Sequence, residues 1–356
     1  MVPHQIFIDC MKLLQRVLFV VTASALTIIV VESLLRLFHV EIPLDHERLF
    51  DEHSHRVISD RYIFERTDVP PHMTDGFTNI AVIGDSFSEC NLIQGVRCYS
   101  ELIATQSSDM RVYNYAVAGM NTDQEFMYFT DHILPEKPNI VIWQMYSNDV
   151  WENVIRPLYT ISPGGGQLRD EPAMHNWVYQ RQTAYTMLPF RYTLIKSLLV
   201  RSILRLFELR RFAQAPGRND TDRLQWSVDK VRLEVARMNA LATQHNFQVI
   251  YVLIPPQALY MQESSSSSER VSVDYIISLY RMLDEVLRSQ QQYITDVFAD
   301  YDNSHGAAIT ALTYYLDDTD TNIRGDKHLN TRGQDVVASR IMNTIHSLKN
   351  DMDRIH

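Results

Sequence analysis

Cysteine is scarce in this sequence. Among the 356 residues only Cys10, Cys90 and Cys98 occur, and no two of them are spaced C-x-x-C. The spacing therefore predicts neither a thioredoxin-like redox motif nor a cysteine-based zinc site. Cys90 and Cys98 are close enough in sequence to form a disulfide in an oxidising compartment. The alternative is that both are small buried thiols, and the sequence favours neither interpretation.

Positive charge and cofactor motifs are also lacking. The chain has 33 Lys and Arg residues against 43 Asp and Glu residues, a formal net charge of −10. Residues 1–40 contain three basic and two acidic residues, a net charge of +1, so the remaining chain carries −11. An acidic body lacks the basic surface that nucleic-acid binding requires, and we predict no nucleic-acid partner. The sequence has no H-E-x-x-H, EF-hand or P-loop motif, so we predict no metal site and no cofactor.

Long apolar runs are absent except for one near the N-terminus. Residues 17–31 contain no charged side chain. This run is shorter than the roughly 20 residues of a bilayer span, but apolar residues at 13–14 and 34–38 extend it. Lys12 and Arg16 precede the run, which favours a cytoplasmic N-terminus. We predict a single-pass anchor with an extracytoplasmic body, which would be periplasmic in a Gram-negative cell.

Two alternatives to an anchor apply to the same run. A cleaved signal peptide requires a small-residue site after the apolar segment. The A-x-A sequence at Ala23–Ala25 lies in the middle of the run, which disfavours cleavage. The other alternative is a buried core helix. Glu32 and Arg36 are four residues apart and could pair on one face of a helix near the interface.

From residue 79 onward, short apolar segments alternate with helical patterns. Several of these segments are apolar at consecutive positions, which is typical of strands covered on both faces. We predict strands at 79–83, 111–117, 139–145, 248–254 and 293–298, and helices at 121–134, 222–245, 275–291 and 331–348. The alternation predicts an α/β fold with a parallel sheet between two helical layers.

The predicted organisation has three parts. Residues 1–40 form the membrane anchor, 41–78 a juxtamembrane linker, and 79–350 the main domain. A helical insertion at about 154–221 interrupts the alternation of strands and helices. Within it, residues 190–212 combine leucines with six basic residues, a pattern that could lie on an anionic membrane surface. We favour the alternative, in which this helix packs on the body with a solvated basic face.

Polar side chains that suit acyl transfer follow three of the predicted strands and precede the last helix. A serine nucleophile needs a base, a group that orients the base, and donors for the oxyanion. Ser86 lies in GDSFSE, Gly119 in AVAGMNTDQE and Asn148 in MYSNDVWEN. Asp326 and His328 are two residues apart in RGDKHLNTRG. The order Ser, Asp, His is one of the known triad orders.

These four segments resemble the sequence blocks of the SGNH, or GDSL-type, hydrolase superfamily. They occur in the family's order over about residues 79–345. The resemblance implies a flavodoxin-like three-layer α/β/α sandwich with a five-stranded parallel sheet. It further implies that Ser86 is the nucleophile, His328 the base and Asp326 its orienting carboxylate. The backbone N–H groups of Ser86 and Gly119 and the side chain of Asn148 would then form the oxyanion hole.

The chain departs from the family pattern in two places. The third block often has glycine two residues before its Asn-Asp pair, whereas this chain has Tyr146 there. The last block often reads D-x-x-H, whereas here Gly325 stands three residues before the histidine and Asp326 two before. The D-x-H spacing resembles SGNH domains that act on acetylated polysaccharides. This favours an acylated sugar as substrate.

The sequence therefore predicts a membrane-anchored serine esterase of the SGNH type. Its substrate would be an acylated small molecule, a lipid or an envelope polysaccharide. One alternative is an O-acyltransferase that moves the acyl group to or from a cell-surface polysaccharide. A second alternative is a catalytically inactive envelope scaffold, which would have no need for Ser86, Asn148, Asp326 and His328 together.

Overall fold

The structure is a computed structural model, and it describes residues 2–37, 56–57, 65–66, 69–70, 72–89, 96–155, 157–170, 197–200, 202–203, 221–259, 267–289, 293–296 and 328–355. The chain divides into two compact units. The first comprises Met1–Ser54 and Thr183–Gln214, and the second His55–Gln182 and Ala215–His356. Within the predicted insertion, residues 183–214 fall in the first unit, whereas residues 154–182 and 215–221 fall in the second. The domain boundaries expected from the sequence stay a prediction.

A long apolar helix, α1 (Val2–Leu37), dominates the first unit. Within the described residues, its segment Gln15–Leu37 is the one helix long and apolar enough to cross a membrane, with a mean hydropathy of 2.3. The side chains of this segment are largely exposed, and Phe19 is 74 % exposed. The structure therefore does not support the alternative in which this segment is a buried core helix. The expected ion pair is confirmed, since Arg36 Nη2 lies 2.8 Å from Glu32 Oε1.

A five-stranded parallel sheet forms the centre of the second unit. Its strands are β3 Thr78–Ile83, β4 Met110–Asn114, β5 Ile140–Met145, β8 Gln248–Leu253 and β9 Tyr293–Asp296. They lie side by side in the order β4-β3-β5-β8-β9. This order is that of flavodoxin-like folds. The predicted fold class is confirmed, and each strand lies where the apolar pattern predicted it.

Two short antiparallel pairs accompany the central sheet. β1 (Arg56–Val57) pairs with β2 (Glu65–Arg66). β6 (Tyr159–Ile161) pairs with β7 (Leu168–Asp170) across the turn at residues 162–167. Both pairs stand apart from the parallel sheet and do not extend it.

The helices of the second unit follow the sheet strands. They are α2 Ser86–Glu89, α3 Tyr99–Ala104, α4 Thr122–Tyr128, α5 Asn148–Ile155, α6 Thr221–His245, α7 Ser267–Ser289 and α8 Thr331–Ile355. Asn121 caps α4, because its Oδ1 accepts a hydrogen bond from Gln124 N–H at 3.1 Å. After α4 the chain continues through a π-helical turn, Phe129–Ile133, and a 3₁₀ turn, Leu134–Glu136.

The core lies on both faces of the sheet. The central strands β3 and β5 are buried along nearly their whole length, as the unbroken apolar runs predicted. One face packs against α3 and α8, with Ile103, Val337 and Ile341 in the same apolar cluster as Ile80 and Ile142. Each such side chain contributes about 1.5–3 kcal/mol by its removal from water. This two-sided burial holds the carboxyl ends of β3, β4 and β5 in fixed positions.

Candidate active site

Ser86 is the first residue of α2 and follows a tight turn at the carboxyl end of β3. Gly84 in this turn has a φ of 156°, and a Cβ there would lie 2.5 Å from Gln144 Oε1. Glycine is therefore required because the Gln144 side chain packs against the backbone. Gln144 Oε1 also accepts hydrogen bonds from Asp85 N–H at 3.2 Å and from Ser88 Oγ at 2.7 Å. The serine turn is thus bonded to the neighbouring strand β5.

Asp85 fixes the same turn from within. Its carboxyl is buried, and Oδ1 accepts a hydrogen bond from Phe87 N–H at 3.0 Å. Burial raises the pKa of Asp85, whereas the Phe87 N–H and the nearby His328 lower it. The Asp85 carboxyl group therefore ties the turn together.

His328 meets Ser86 from the other end of the chain. Its Nε2 lies 2.8 Å from Ser86 Oγ, although the two residues are 242 positions apart. Both side chains are half-buried. Just after the histidine, Asn330 Oδ1 accepts a hydrogen bond from Gly333 N–H at 3.1 Å, which caps the start of α8. The capped helix start therefore sets the position of His328.

An aromatic pair lies against the imidazole. The Phe87 ring centroid is 4.7 Å from that of His328 and 4.2 Å from that of Tyr146, with tilted planes in both cases. Phe87 is buried and belongs to the turn that carries Ser86. The turn that carries Ser86 thus contacts the histidine twice, through the Ser86 hydroxyl and through the Phe87 ring.

Gly119 and Asn148 occupy the turns on either side of Ser86. Gly119 follows β4 and has a φ of 82°, in the left-handed region that favours glycine. Its neighbour Ala118 donates a backbone hydrogen bond to Glu89 Oε2 at 2.9 Å, which ties this loop to α2. Asn148 begins α5 just after β5. Because β4 and β5 both flank β3, the three turns lie at one edge of the sheet.

The other predicted residues have separate outcomes. Asp326 lies outside the described residues, and its role stays a prediction. Asp149, next to Asn148, holds the same turn, because its Oδ2 accepts a hydrogen bond from Tyr146 N–H at 2.8 Å. Cys98 is disulfide-bonded, but Cys90 lies outside the described residues, so their pairing stays a prediction. Within the described part of the chain, no cluster of three or more His, Cys, Asp or Glu residues could hold a metal ion.

A buried ion pair beneath the site was not foreseen from the sequence. Lys230 Nζ lies 2.6 Å from Asp123 Oδ2, and neither side chain is exposed. The same Asp123 oxygen accepts hydrogen bonds from Leu158 N–H at 2.6 Å and Tyr159 N–H at 3.1 Å. Lys230 also donates to the Asn153 carbonyl oxygen at 3.3 Å. The ion pair therefore joins α4, α5, α6 and the segment that leads into β6.

Two further buried carboxyl groups, Glu125 and Glu234, lie on α4 and α6. Glu234 Oε2 accepts a hydrogen bond from Thr122 Oγ1 at 2.6 Å, and burial raises the pKa of Glu234. Glu125 Oε2 accepts one from Trp143 Nε1 at 2.8 Å, and burial and the nearby Asp85 raise the pKa of Glu125. The sequence signal was weak, because a capping segment such as NTDQE is typical of an exposed helix start.

The comparisons with known proteins concern the fold. No protein-family profile and no curated protein matches the sequence. Among solved structures, the chain is similar to an acetyl xylan esterase at 14% identity, with 75% of this chain and 99% of that chain covered and a TM-score of 0.40. It is similar to Axe2, an acetylxylan esterase from Geobacillus stearothermophilus, at 12% identity, with 76% and 95% covered and a TM-score of 0.39. It is also similar to a GDSL-like lipase from Bacteroides thetaiotaomicron at 10% identity, with 78% and 92% covered and a TM-score of 0.39.

Proposed function

We propose that the protein is a serine ester hydrolase. The observation that carries this proposal is the 2.8 Å contact between Ser86 Oγ and His328 Nε2 at the carboxyl edge of a parallel sheet. A serine hydroxyl is a weak nucleophile unless a base accepts its proton. A histidine at hydrogen-bond distance supplies that base at neutral pH.

The proposed reaction has two halves. Ser86 Oγ attacks the ester carbonyl carbon while His328 Nε2 takes the hydroxyl proton, and the protonated histidine then donates this proton to the leaving alcohol. Water, activated by the same histidine, cleaves the acyl-enzyme and releases the acid. The backbone N–H groups of Ser86 and Gly119 and the Asn148 amide would stabilise the oxyanion. Asp326 would hold the imidazole in the required tautomer, as the family resemblance implies.

The substrate class that we propose is an O-acylated sugar, with acetyl as the acyl group. The support for it is the D-x-H spacing of Asp326 and His328, which resembles SGNH domains that act on acetylated polysaccharides. The same acyl-enzyme could be attacked by a sugar hydroxyl in place of water, which would make the protein an O-acyltransferase. Hydrolase and transferase share every residue named above and differ only in the acceptor.

The proposed location is the extracytoplasmic face of a membrane. The segment Gln15–Leu37 of α1 has the length and the exposed apolar surface of a single span. Lys12 and Arg16 before the run favour a cytoplasmic N-terminus. The Ser86 and His328 side chains would then act on substrates of the cell envelope.

A fluorophosphonate probe tests the proposal directly. We expect the purified full-length protein to be labelled at Ser86 and the Ser86→Ala variant to remain unlabelled and correctly folded. We also expect Ser86→Ala to lower the turnover of nitrophenyl acetate at least about a thousandfold. Unchanged turnover would refute the nucleophile assignment, and absence of labelling would support the scaffold alternative. Release of acetate compared with its transfer to an added oligosaccharide distinguishes hydrolase from transferase.

A further inference from the structure

A carboxylate in the apolar helix α1 bonds to a distant part of the chain. Glu32 Oε2 accepts a hydrogen bond from Ser197 Oγ at 2.8 Å. The backbone N–H groups of Leu198 and Leu199 donate to the two Glu32 oxygens, each at 3.0 Å. The partners are 165 to 167 positions apart in sequence but belong to the same compact unit.

The contact has the form of a helix cap supplied by another helix. Residues 198–200 and 202–203 are helical, and the first N–H groups of a helix have no partner within it. Glu32 satisfies two of these donors, and the negative charge is favourable at a helix N-terminus. Ser197 Oγ additionally accepts a hydrogen bond from Val200 N–H at 3.3 Å. Residues 197–200 are therefore held on α1 by a defined set of bonds.

The position of Glu32 relates this contact to a membrane. It lies near the C-terminal end of Gln15–Leu37, the candidate span. A carboxylate within an apolar helix is costly in a bilayer unless donors surround it. The donors of residues 197–199, together with Arg36, supply them. If Gln15–Leu37 spans a membrane, the docked segment lies beside the end of that span.

The composition of the docked segment fits the same environment. Its described residues include Leu198, Leu199, Val200 and Ile203, and Ile203 is 47 % exposed. In the sequence, residues 190–212 contain six Arg and Lys residues and a single acidic residue. Apolar side chains interspersed with basic ones are typical of segments that lie in the interface and attract anionic lipids.

We propose that residues 197–200 and 202–203 form a second membrane-contacting segment, docked on α1 through Glu32 and lying among anionic phospholipid headgroups. The inference rests on the membrane anchor of the proposed function. It replaces the interpretation favoured from the sequence, in which the 190–212 region packs on the body with a solvated basic face. The protein would then meet the membrane through two elements, of which only α1 spans it.

Lipid quenching of a site-specific fluorophore tests this inference. Each test protein is the full-length Cys10→Ser protein with one added cysteine at one of three sites. The added cysteine is labelled with NBD, and the protein is reconstituted into nanodiscs that contain brominated phospholipids. Ile203→Cys reports on the docked segment, Val20→Cys on the span, and Thr243→Cys on an exposed position of α6. The Cys10→Ser protein, labelled in the same way, gives the background to subtract.

We expect lipid quenching of the Ile203 label to lie between those of the Val20 and Thr243 labels. It should increase at least about twofold when phosphatidylglycerol replaces part of the phosphatidylcholine, because residues 190–212 contain six basic residues and one acidic residue. If the Ile203 label matches Thr243 while Val20 is quenched, the inference fails and the anchor stands. If Val20 is also unquenched, the anchor itself fails. A label shielded from aqueous iodide yet unquenched by lipid would indicate a protein partner or second copy and would overturn the proposal.

The role of Glu32 has its own control. Glu32→Ala removes the acceptor for the Ser197, Leu198 and Leu199 donors, and we expect the Ile203 label to lose at least about half of its lipid quenching. Glu32→Gln keeps an acceptor oxygen, so the Ile203 label should retain more lipid quenching in this variant than in Glu32→Ala. Arg36→Gln removes the ion pair but leaves the cap, so quenching should persist. Full quenching in Glu32→Ala would overturn the docking role of this residue.

Discussion

Two polar regions of the second unit differ in burial and in how far the protein itself uses their hydrogen-bonding groups. Ser86 and His328 are half-buried at the sheet edge and are joined by one hydrogen bond at 2.8 Å. Asp123 and Lys230 are fully buried between helices, and Asp123 Oδ2 alone accepts hydrogen bonds from three donors. A buried polar group whose capacity is used by the protein fixes the structure. A polar group that solvent can reach remains available to a substrate.

The largest effect that separates the two regions is expected from His328→Ala. This variant should lose ester turnover at least about a thousandfold, because Ser86 loses its base, while its thermal unfolding midpoint changes little. Turnover of nitrophenyl acetate and thermal denaturation measure the two quantities. His245→Ala, at an exposed histidine that ends α6, is the control and should keep full activity. A His328→Ala variant that unfolds but retains turnover per folded molecule would contradict the comparison.

Lys230→Met is expected to give the reverse pattern, a large loss of stability with little loss of turnover per folded molecule. It leaves the buried Asp123 carboxylate without its counter-ion, which typically costs about 3–5 kcal/mol of unfolding free energy. Urea denaturation measures this cost. Lys349→Met is the matched control, because it removes the partially exposed ion pair of Lys349 with Asp109, for which a loss of about 0–1 kcal/mol is typical. Equal losses in the two variants would show that burial does not distinguish these pairs.

The fold and the position of Ser86 at the sheet edge could be predicted because their sequence signals are local. The apolar run of β3 ends at Gly84, and the turn that follows presents Ser86 at the edge of the sheet. The start of α7 was predicted less accurately. That helix begins at Ser267, eight positions before the apolar periodicity that predicted it from residue 275, because serines carry no apolar pattern.

The buried charges could not be predicted from the sequence for a different reason. Lys230 lies between Val228 and Val231 in an amphipathic pattern, where a lysine is normally assigned to the solvated face. Its burial depends on Asp123, 107 positions away, which no local pattern connects to it. The bonds of Glu32 to Ser197 and its neighbours are long-range in the same way. Only the pairing of Glu32 with Arg36, four positions along one helix, followed from spacing.

A smaller effect is expected from the aromatic contact at the site. Phe87→Leu removes the ring that lies 4.7 Å from the His328 imidazole. Aromatic pairs contribute about 0.5–1.5 kcal/mol beyond their buried area, so we expect kcat to fall about two- to tenfold with little change in KM. Phe87→Tyr keeps the ring and should restore kcat. Steady-state kinetics measure both parameters, and a change confined to KM would show that Phe87 contacts substrate and does not position His328.

The smallest effect concerns pH and the buried carboxyl groups. Burial, with a further contribution from Asp85, raises the pKa of Glu125 well above its ordinary value of 4.5. The folded protein then retains a proton that the unfolded chain releases as pH rises past 4.5, so the stability that this group contributes declines through that window. Glu125→Gln removes the titration while its amide oxygen can still accept the Trp143 Nε1 hydrogen bond.

Urea unfolding between about pH 4 and 8 tests this expectation, because unfolding free energy changes with pH by the difference in protons bound. The decline toward high pH should be shallower in Glu125→Gln than in the unsubstituted protein, and the two should converge at the acid end. Glu285→Gln, at an exposed position of α7, should leave the slope unchanged. An identical slope in Glu125→Gln would mean that the carboxyl group ionises as freely in the core as in water. The contrast between buried and accessible polar groups would then rest on the Asp123–Lys230 pair alone.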